Sequence, residues 1–292
     1  MFEQLYETTF LKSNPMYAFL MGLAFAIIGI FSAKIVFGSN PGLMSVAFTA
    51  ILLIPSLNNL LSINEQSETR EEKFSLRIIF NDHKDVFKIY TLAFLGIFTA
   101  YILFAIVWAQ GFSLFYLQPQ LEVACIPPSV CQGSLAGQAV LAGNAATSEA
   151  FSTFMKILIN NFIVLIACLF LSFFYGAGSI LFITWNASVW GSVFGYRIRE
   201  SVTHSGHTWF PALYTTLLPV FPHMVTEAVS YFSAAIVGGV VSKAFLSEKF
   251  GSTGFKRVMD DAFIFFIVAV LLVVFAAFLE VYIFPFIYML LM

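Results

Sequence analysis

The sequence predicts an all-α integral membrane protein, a polytopic transmembrane helical bundle of about six to seven spans. Of its 292 residues, 60% are hydrophobic and 10% are charged, whereas a soluble domain is about 25% charged. The apolar residues form continuous runs of about 20, the length that crosses the hydrocarbon core as a helix. These runs do not alternate apolar and polar residues at period two, so they predict helices rather than barrel strands.

Seven apolar runs bounded by charged or turn residues are the candidate spans. In chain order they cover residues 16–37, 42–61, 88–112, 151–175, 179–196, 211–246 and 262–288. The pattern predicts three regions. They are an N-terminal three-helix membrane region (1–112) with a connecting loop at 62–88, a long loop (113–150), and a membrane core (151–292).

The sixth run is too long for one straight span. Its 36 residues (211–246) would form a helix of about 54 Å, whereas the hydrocarbon core is about 30 Å thick. Pro219 and Pro222 lie inside it, and a proline removes a helical hydrogen bond and clashes with the preceding turn. We therefore expect a short helix over 211–220, a break near the two prolines, and a full span that begins at Pro222.

Basic residues predict the orientation. The loop at 62–88 holds five of them, whereas the stretch 113–150 contains no Lys or Arg. Because cytoplasmic loops are enriched in Lys and Arg, we expect a cytoplasmic N-terminus, a cytoplasmic loop 62–88 and an extracytoplasmic loop 113–150. Arg197 and Arg199 fall on the opposite side of this scheme. The five basic residues of the cytoplasmic loop are Arg70, Lys73, Arg77, Lys84 and Lys88.

The cysteines fit this orientation. Cys125 and Cys131 both lie in the loop assigned to the outside, where an oxidising environment permits a disulfide across a short closed loop. The alternative is that they are two unrelated small residues. Cys168 stands alone in the fourth span.

Polar residues inside the spans are few, and they are candidates for a functional site. An ionisable side chain in a membrane span is costly and marks function by default. His223 and Glu227 are four residues apart and share one helical face. We expect the cluster to meet in the outer half of the membrane, with Asn186 nearer the middle. The complete set is Asn160, Asn161, Asn186, His223, Glu227 and Glu280.

The motifs of the second half of the chain resemble a known family. The stretches "ILINNF", "FYGAGS", "LLPVFPHMVTEA", "AAIVGG" and "AAFLEVYIFP" follow one another over about residues 151–285. Together they resemble the stage II sporulation protein M family of integral membrane proteins, although Met224 stands where the family pattern commonly has glycine. The resemblance implies a membrane scaffold that holds peptidoglycan-degrading enzymes at the outer face.

Three functions remain open on the residues alone. In the first, the protein is a non-catalytic scaffold or assembly factor, and the polar residues hydrogen-bond between helices. In the second, the cluster lines a pathway for an ion, a proton or a small solute. In the third, His223, Glu227 and Glu280 bind a divalent metal such as zinc, and the site hydrolyses a lipid or peptide bond.

Further ligands and partners follow from the same patterns. His204 and His207 could add nitrogen ligands to a metal, although a solvated loop pair is the simpler reading. The lipid bilayer is the expected environment, with protein partners in the membrane or at its outer face and a homodimer as one candidate. Nothing in the composition suggests a nucleic acid.

We expect the small residues Ala234, Gly238 and Ser242 to pack helices within the chain.

Overall fold

The computed structural model describes residues 8–68, 76–108, 110–124, 126, 147–204, 206 and 208–291. These residues are almost entirely helical and include no strand, so the all-α prediction is confirmed. The helices are α1 (Thr8–Ser13), α2 (Met16–Val36), α3 (Pro41–Glu68), α4 (Leu76–Val107), α5 (Gln110–Tyr116), α6 (Gln118–Val123), α7 (Thr147–Tyr175), α8 (Ile180–His204), α9 (Trp209–Ser247), α10 (Thr253–Phe278) and α11 (Phe284–Leu291). A 3₁₀ turn (Ala177–Ser179) joins α7 to α8, and a π-helical segment (Leu279–Ile283) joins α10 to α11.

Each of the seven predicted spans falls on helix in the structure, although the third extends past α4 into α5 and the seventh continues from α10 through the π-helical segment into α11. Among the described residues, five helices are long and apolar enough to cross a membrane, so the protein is a multi-pass membrane protein. The second predicted span corresponds to α3, in which Pro41–Leu57 is an apolar stretch of the described side chains. The fifth corresponds to α8, which carries two arginines and a glutamate in its last turns. The five spans are Met16–Val36, Lys84–Val107, Ala150–Tyr175, Trp209–Leu246 and Thr253–Leu290.

Helices α2 and α4 run in the same direction and approach closely through glycine. A Cβ atom on Gly96 would overlap the carbonyl oxygen of Phe19 and lie 2.7 Å from the backbone nitrogen of Leu23. Further along both helices, the rings of Phe31 and Trp108 meet edge to face with centroids 5.6 Å apart. Small residues let membrane helices pack backbone to backbone, which maximises dispersion contacts in a solvent that supplies little hydrophobic driving force.

Helix α8 packs along α4 in the same direction. Gly191 lies against the backbone of Phe98 and Ile102, and Gly195 lies against Ile102 one turn further on. Arg199 then donates hydrogen bonds to the carbonyl oxygens of Ala105 (3.3 Å) and Trp108 at the end of α4.

The two arginines on the wrong side of the charge scheme therefore have structural roles. Arg199 satisfies carbonyl groups that the end of α4 leaves without a helical partner. Arg197 forms an ion pair of 3.3 Å with Glu200 on its own helix. Both charges are engaged within α8 and its neighbour, which explains why they do not follow the loop statistics. The orientation of the chain in the membrane stays a prediction.

The small residues of α9 pack within the chain, as predicted. A Cβ atom on Gly238 would overlap the carbonyl oxygen of Leu169 and lie 2.8 Å from the Cβ atom of Ser172, so α9 and α7 touch through their backbones. The rings of Phe173 and Phe245, with centroids 5.6 Å apart, continue this contact and show that α7 and α9 run in the same direction. Helix α10 returns along α9 in the opposite direction.

The predicted break near Pro219 and Pro222 is wrong. Helix α9 continues through both prolines as one helix of 39 residues. Hydroxyl groups hydrogen-bond to the backbone on either side of the prolines, from Thr215 to the carbonyl of Pro211 (2.9 Å) and from Thr226 to that of Pro222 (2.8 Å). These bonds do not replace the ones that the prolines remove, which would end on the carbonyl oxygens of Thr215 and Leu218. Membrane helices tolerate proline where neighbouring helices and local adjustments of the backbone compensate the loss. The prolines disfavour the helix locally, but the packing of α7, α8 and α10 against α9 stabilises it by more.

Both predicted loops are more helical than expected. Helix α3 extends to Glu68 and α4 begins at Leu76, so most of the loop placed at 62–88 is helix. Polar and charged residues are good helix formers, so the apolar run marks a possible membrane boundary and not the helix end. At the start of the loop 113–150, Gln120 of α6 donates to the carbonyl oxygen of Gly42 (2.9 Å). Cys125 and Cys131, the candidate disulfide, lie outside the described residues.

One apolar core joins the N-terminal region to the second half of the chain. The rings of Phe94 on α4 meet those of Trp190 on α8 (5.5 Å) and Phe232 on α9 (5.8 Å) between centroids. Residues from Leu11 to Phe265 belong to the same buried cluster. Helices α7, α9 and α10 share a second, smaller cluster that contains Cys168.

The glycine contact between α2 and α4 gives a stability prediction. Gly96→Ala should lower the free energy of unfolding by about 1–3 kcal/mol, because the added methyl group forces two helix backbones apart. Gly111→Ala is the matched control, since Gly111 is also helical but has no atom within 4 Å of an added Cβ. Thermal unfolding in detergent measures both. An equal effect of the two substitutions would contradict the close contact.

Candidate metal centre

Three ionisable side chains converge between α9 and the end of α10. His223 and Glu227 lie one turn apart on the same face of α9. Glu280 comes from the opposite direction, on the segment that follows α10. The antiparallel pairing of α9 and α10 brings residue 280 level with residues 223–227. The contact of Phe245 with Phe255 (5.1 Å between ring centroids) fixes the same register at the other end of the pair.

Glu280 lies in a π-helical turn. The backbone N–H of Phe284 donates to the carbonyl oxygen of Leu279, five residues earlier, instead of four as in an α-helix. Such a turn inserts one extra residue and changes the direction of the side chains that follow, and it is frequent at functional sites. Here it separates α10 from α11 and determines the direction from which Glu280 approaches α9.

The three side chains are close enough to share one ligand. One potential ligand atom from each of His223, Glu227 and Glu280 lies within 4.8 Å of the other two. A metal at about 2.0–2.2 Å from each atom would hold them roughly 3.5 Å apart. The group would therefore close by about 1 Å around an ion, which side-chain rotation can supply. Glu227 is 6% exposed and Glu280 is half-buried.

Tyr231 extends the row on α9 by one more turn. Its hydroxyl group donates a 2.9 Å hydrogen bond to Oε1 of Glu227. Tyr231 is itself fully buried, packed in the cluster that contains Leu165 and Cys168. A carboxylate held in this way keeps one orientation, which is the role that hydrogen-bonding partners play behind metal ligands.

His223 has a nitrogen that no described group satisfies. Its Nδ1 atom is buried and has no hydrogen-bond partner among the residues that the structure describes. The imidazole ring packs edge to face against Phe284, with centroids 6.3 Å apart. A buried polar atom without a partner is costly, so it points to a ligand or to an ordered water.

The charge of the group needs compensation. Within the described part of the chain, neither Glu227 nor Glu280 forms an ion pair with a Lys or Arg. Two carboxylates this close together stay charged only if a cation balances them and otherwise take up protons, since an uncompensated buried charge costs several kcal/mol. A divalent cation with two carboxylates and a neutral imidazole has no net charge. This makes the donor set suitable for a divalent metal.

The structure separates the three asparagines by role. Asn161 is 6% exposed on the packed face of α7, whereas Asn160 is exposed and donates to Oδ1 of Asn161 (3.3 Å). Asn186 donates to the carbonyl oxygen of Phe182 on its own helix (2.9 Å). The membership of these asparagines in the site stays a prediction.

Two other residues bear on the site. His204 is exposed at the end of α8 and shares a 2.9 Å hydrogen bond with Thr203, while His207 lies outside the described residues. Tyr231 was missed from the sequence, although the row 223, 227, 231 repeats every four residues and could have indicated it. The π turn at Glu280 has no sequence signal of this kind.

Comparison with known protein families assigns the chain. The family model described as Stage II sporulation protein M matches residues 128–285, which is more than half of the chain. The chain belongs to this family. The predicted resemblance is thereby confirmed, and the matched region contains His223, Glu227 and Glu280. Neither a curated protein nor a solved structure matches this sporulation protein M family member.

The hydrogen bond from Tyr231 gives a second stability prediction. Tyr231→Phe should lower the free energy of unfolding by about 1–3 kcal/mol, because a buried carboxylate loses its donor. Tyr282→Phe is the control, since Tyr282 is exposed and makes ring contacts that phenylalanine keeps. Thermal unfolding in detergent should show a loss for the first substitution only. Equal stability of the two variants would argue against the hydrogen bond.

Proposed function

We propose that this member of the Stage II sporulation protein M family binds a divalent metal ion of the zinc type through His223, Glu227 and Glu280. One observation carries the proposal: potential ligand atoms of the three side chains lie within 4.8 Å of one another. The donor types support it, because imidazole nitrogen and carboxylate oxygen are both zinc ligands. Charge neutrality supports it as well, since two carboxylates balance a divalent ion.

The number of ligands indicates the chemistry. Structural zinc sites are closed by four protein ligands, whereas catalytic sites have three protein ligands and keep one position for water. A metal held by three residues would polarise a bound water for attack on a lipid or peptide bond. Glu227, oriented by Tyr231, would bind the ion from the core side, and the half-buried Glu280 would border the open position. We therefore propose a metal-dependent hydrolase of the membrane.

The other two functions stay predictions. The scaffold role rests on the resemblance and acts through outer surfaces, so it does not call for a converging His and two Glu. A proton or ion pathway would use the same carboxylates without a resident metal. The metal content of the purified protein separates the proposed function from both.

Metal analysis is the direct test. Protein purified without a chelator or a histidine tag should carry about one divalent ion per chain by elemental mass spectrometry. His223→Ala should lose it, because one of three ligands is removed. His204→Ala, which removes an exposed histidine, should keep it. Wild-type protein without stoichiometric metal would overturn the proposal and direct attention to flux measurements in liposomes.

Thermal stability gives an independent test of the same site. A ligand that binds the folded state alone adds about 4 kcal/mol of stability at a free concentration 1,000 times its Kd. A chelator should therefore lower the Tm of the wild-type protein and leave that of Glu280→Gln unchanged. Glu200→Gln alters a glutamate paired with Arg197 and should behave as the wild type. An equal chelator effect on Glu280→Gln would contradict the assignment of Glu280.

A further inference from the structure

Helix α7 has two distinct faces. Its buried positions recur every three to four residues and pack against α9 and α10. They are Ile157, Asn161, Leu165, Cys168 and Ser172. The opposite face is exposed and largely apolar. Its large apolar residues include Ile159, Phe162, Ile163, Phe170 and Phe174. Such a face is expected where a helix meets lipid tails or another membrane helix.

Asn160 interrupts this exposed apolar face. Its side chain is exposed between Ile159 and Ile163, and the hydrogen bond to Asn161 uses only its amide nitrogen. It lies ten residues from the start of the span at Ala150 and fifteen from its end at Tyr175. At about 1.5 Å per residue, it is about 15 Å from one end and about 22 Å from the other, well within a core of about 30 Å. Lipid tails offer its carboxamide no hydrogen-bond partner.

A second copy of the chain is the occupant that fits this position best. All copies of one membrane protein insert with the same orientation, so Asn160 lies at the same depth in each. A carboxamide carries both a donor and an acceptor, and two of them related by a twofold axis satisfy each other. A different partner would need a polar group that happens to lie at this depth.

We propose that two copies of this chain associate in the membrane along the exposed face of α7, where Asn160 of each copy hydrogen-bonds to Asn160 of the other. Ile159 and Ile163 pack around this contact. Asn160 lies about 100° around α7 from the packed residue Asn161, so the interface borders the face that holds α7 to α9.

Disulfide cross-linking in membranes tests the proposal with a matched control. Ile163→Cys places a thiol beside Asn160, and Leu271→Cys places one on the exposed face of α10. Both positions are 62% exposed. They also lie at nearly the same depth, because α7 and α10 run in opposite directions and Phe154 contacts Tyr282 (6.3 Å between ring centroids). The two variants are made in a chain whose Cys125, Cys131 and Cys168 are replaced by alanine.

The expected result is a cross-linked dimer for Ile163→Cys and background for Leu271→Cys. Adding Asn160→Leu to the first variant should lower the dimer fraction, since losing two interhelical hydrogen bonds changes an association constant by about tenfold. Equal cross-linking at the two positions, or a yield that Asn160→Leu leaves unchanged, would overturn the proposal. Light scattering in detergent compares the wild-type chain with Asn160→Leu alone, and a monomer in both cases would overturn it too.

Discussion

Hydrocarbon cannot hydrogen-bond, and this constraint governs each polar group that the helices of this protein carry into the membrane region. The backbone N–H and C=O groups hydrogen-bond to each other, because nearly all of the described residues are helical. Arg199 supplies hydrogen-bond donors at the end of α4, where it donates to two carbonyl groups. The hydroxyl groups of Thr215 and Thr226 donate to carbonyl groups of their own helix, close to the prolines of α9. In each case a polar group that water would solvate in a soluble protein is satisfied by another part of the chain.

The cluster of His223, Glu227 and Glu280 follows from the same constraint. Tyr231 donates one hydrogen bond to Glu227, but this bond does not balance the negative charge of two carboxylates. Helices α7 and α10 both pack along α9, and Glu227 is 6% exposed. An enclosed site with excess negative charge and an unsatisfied imidazole nitrogen favours a cation. Packing thus supports the proposed metal site, and the ligand types determine which metals would suit it.

Sequence reasoning succeeded where the signal is local and strong. The seven apolar runs all fall on helical segments, because a run of about 20 apolar residues has few alternatives to a membrane helix. The pairing of His223 with Glu227 was predictable from helical periodicity. The reasoning failed at Pro219 and Pro222, where neighbouring helices stabilise a conformation that the local sequence disfavours. It also failed around residues 62–68 and 76–88, because hydropathy marks where apolar residues stop and helices continue beyond that point.

The sequence by itself determined that this protein is a helical membrane protein of the sporulation protein M family, and it determined which few side chains could carry chemistry. These properties depend on composition, on short motifs and on spacing along one helix. Only the tertiary structure decided that Glu280 joins His223 and Glu227, and that Asn160 is exposed while Asn161 is packed. Those arrangements depend on the register between α9 and α10, on the π turn at Leu279–Ile283 and on which face of α7 packs. The approach of Glu280 to Glu227 and the packing of Leu169 against Gly238 join residues more than 50 positions apart, and no local pattern in the chain encodes such contacts.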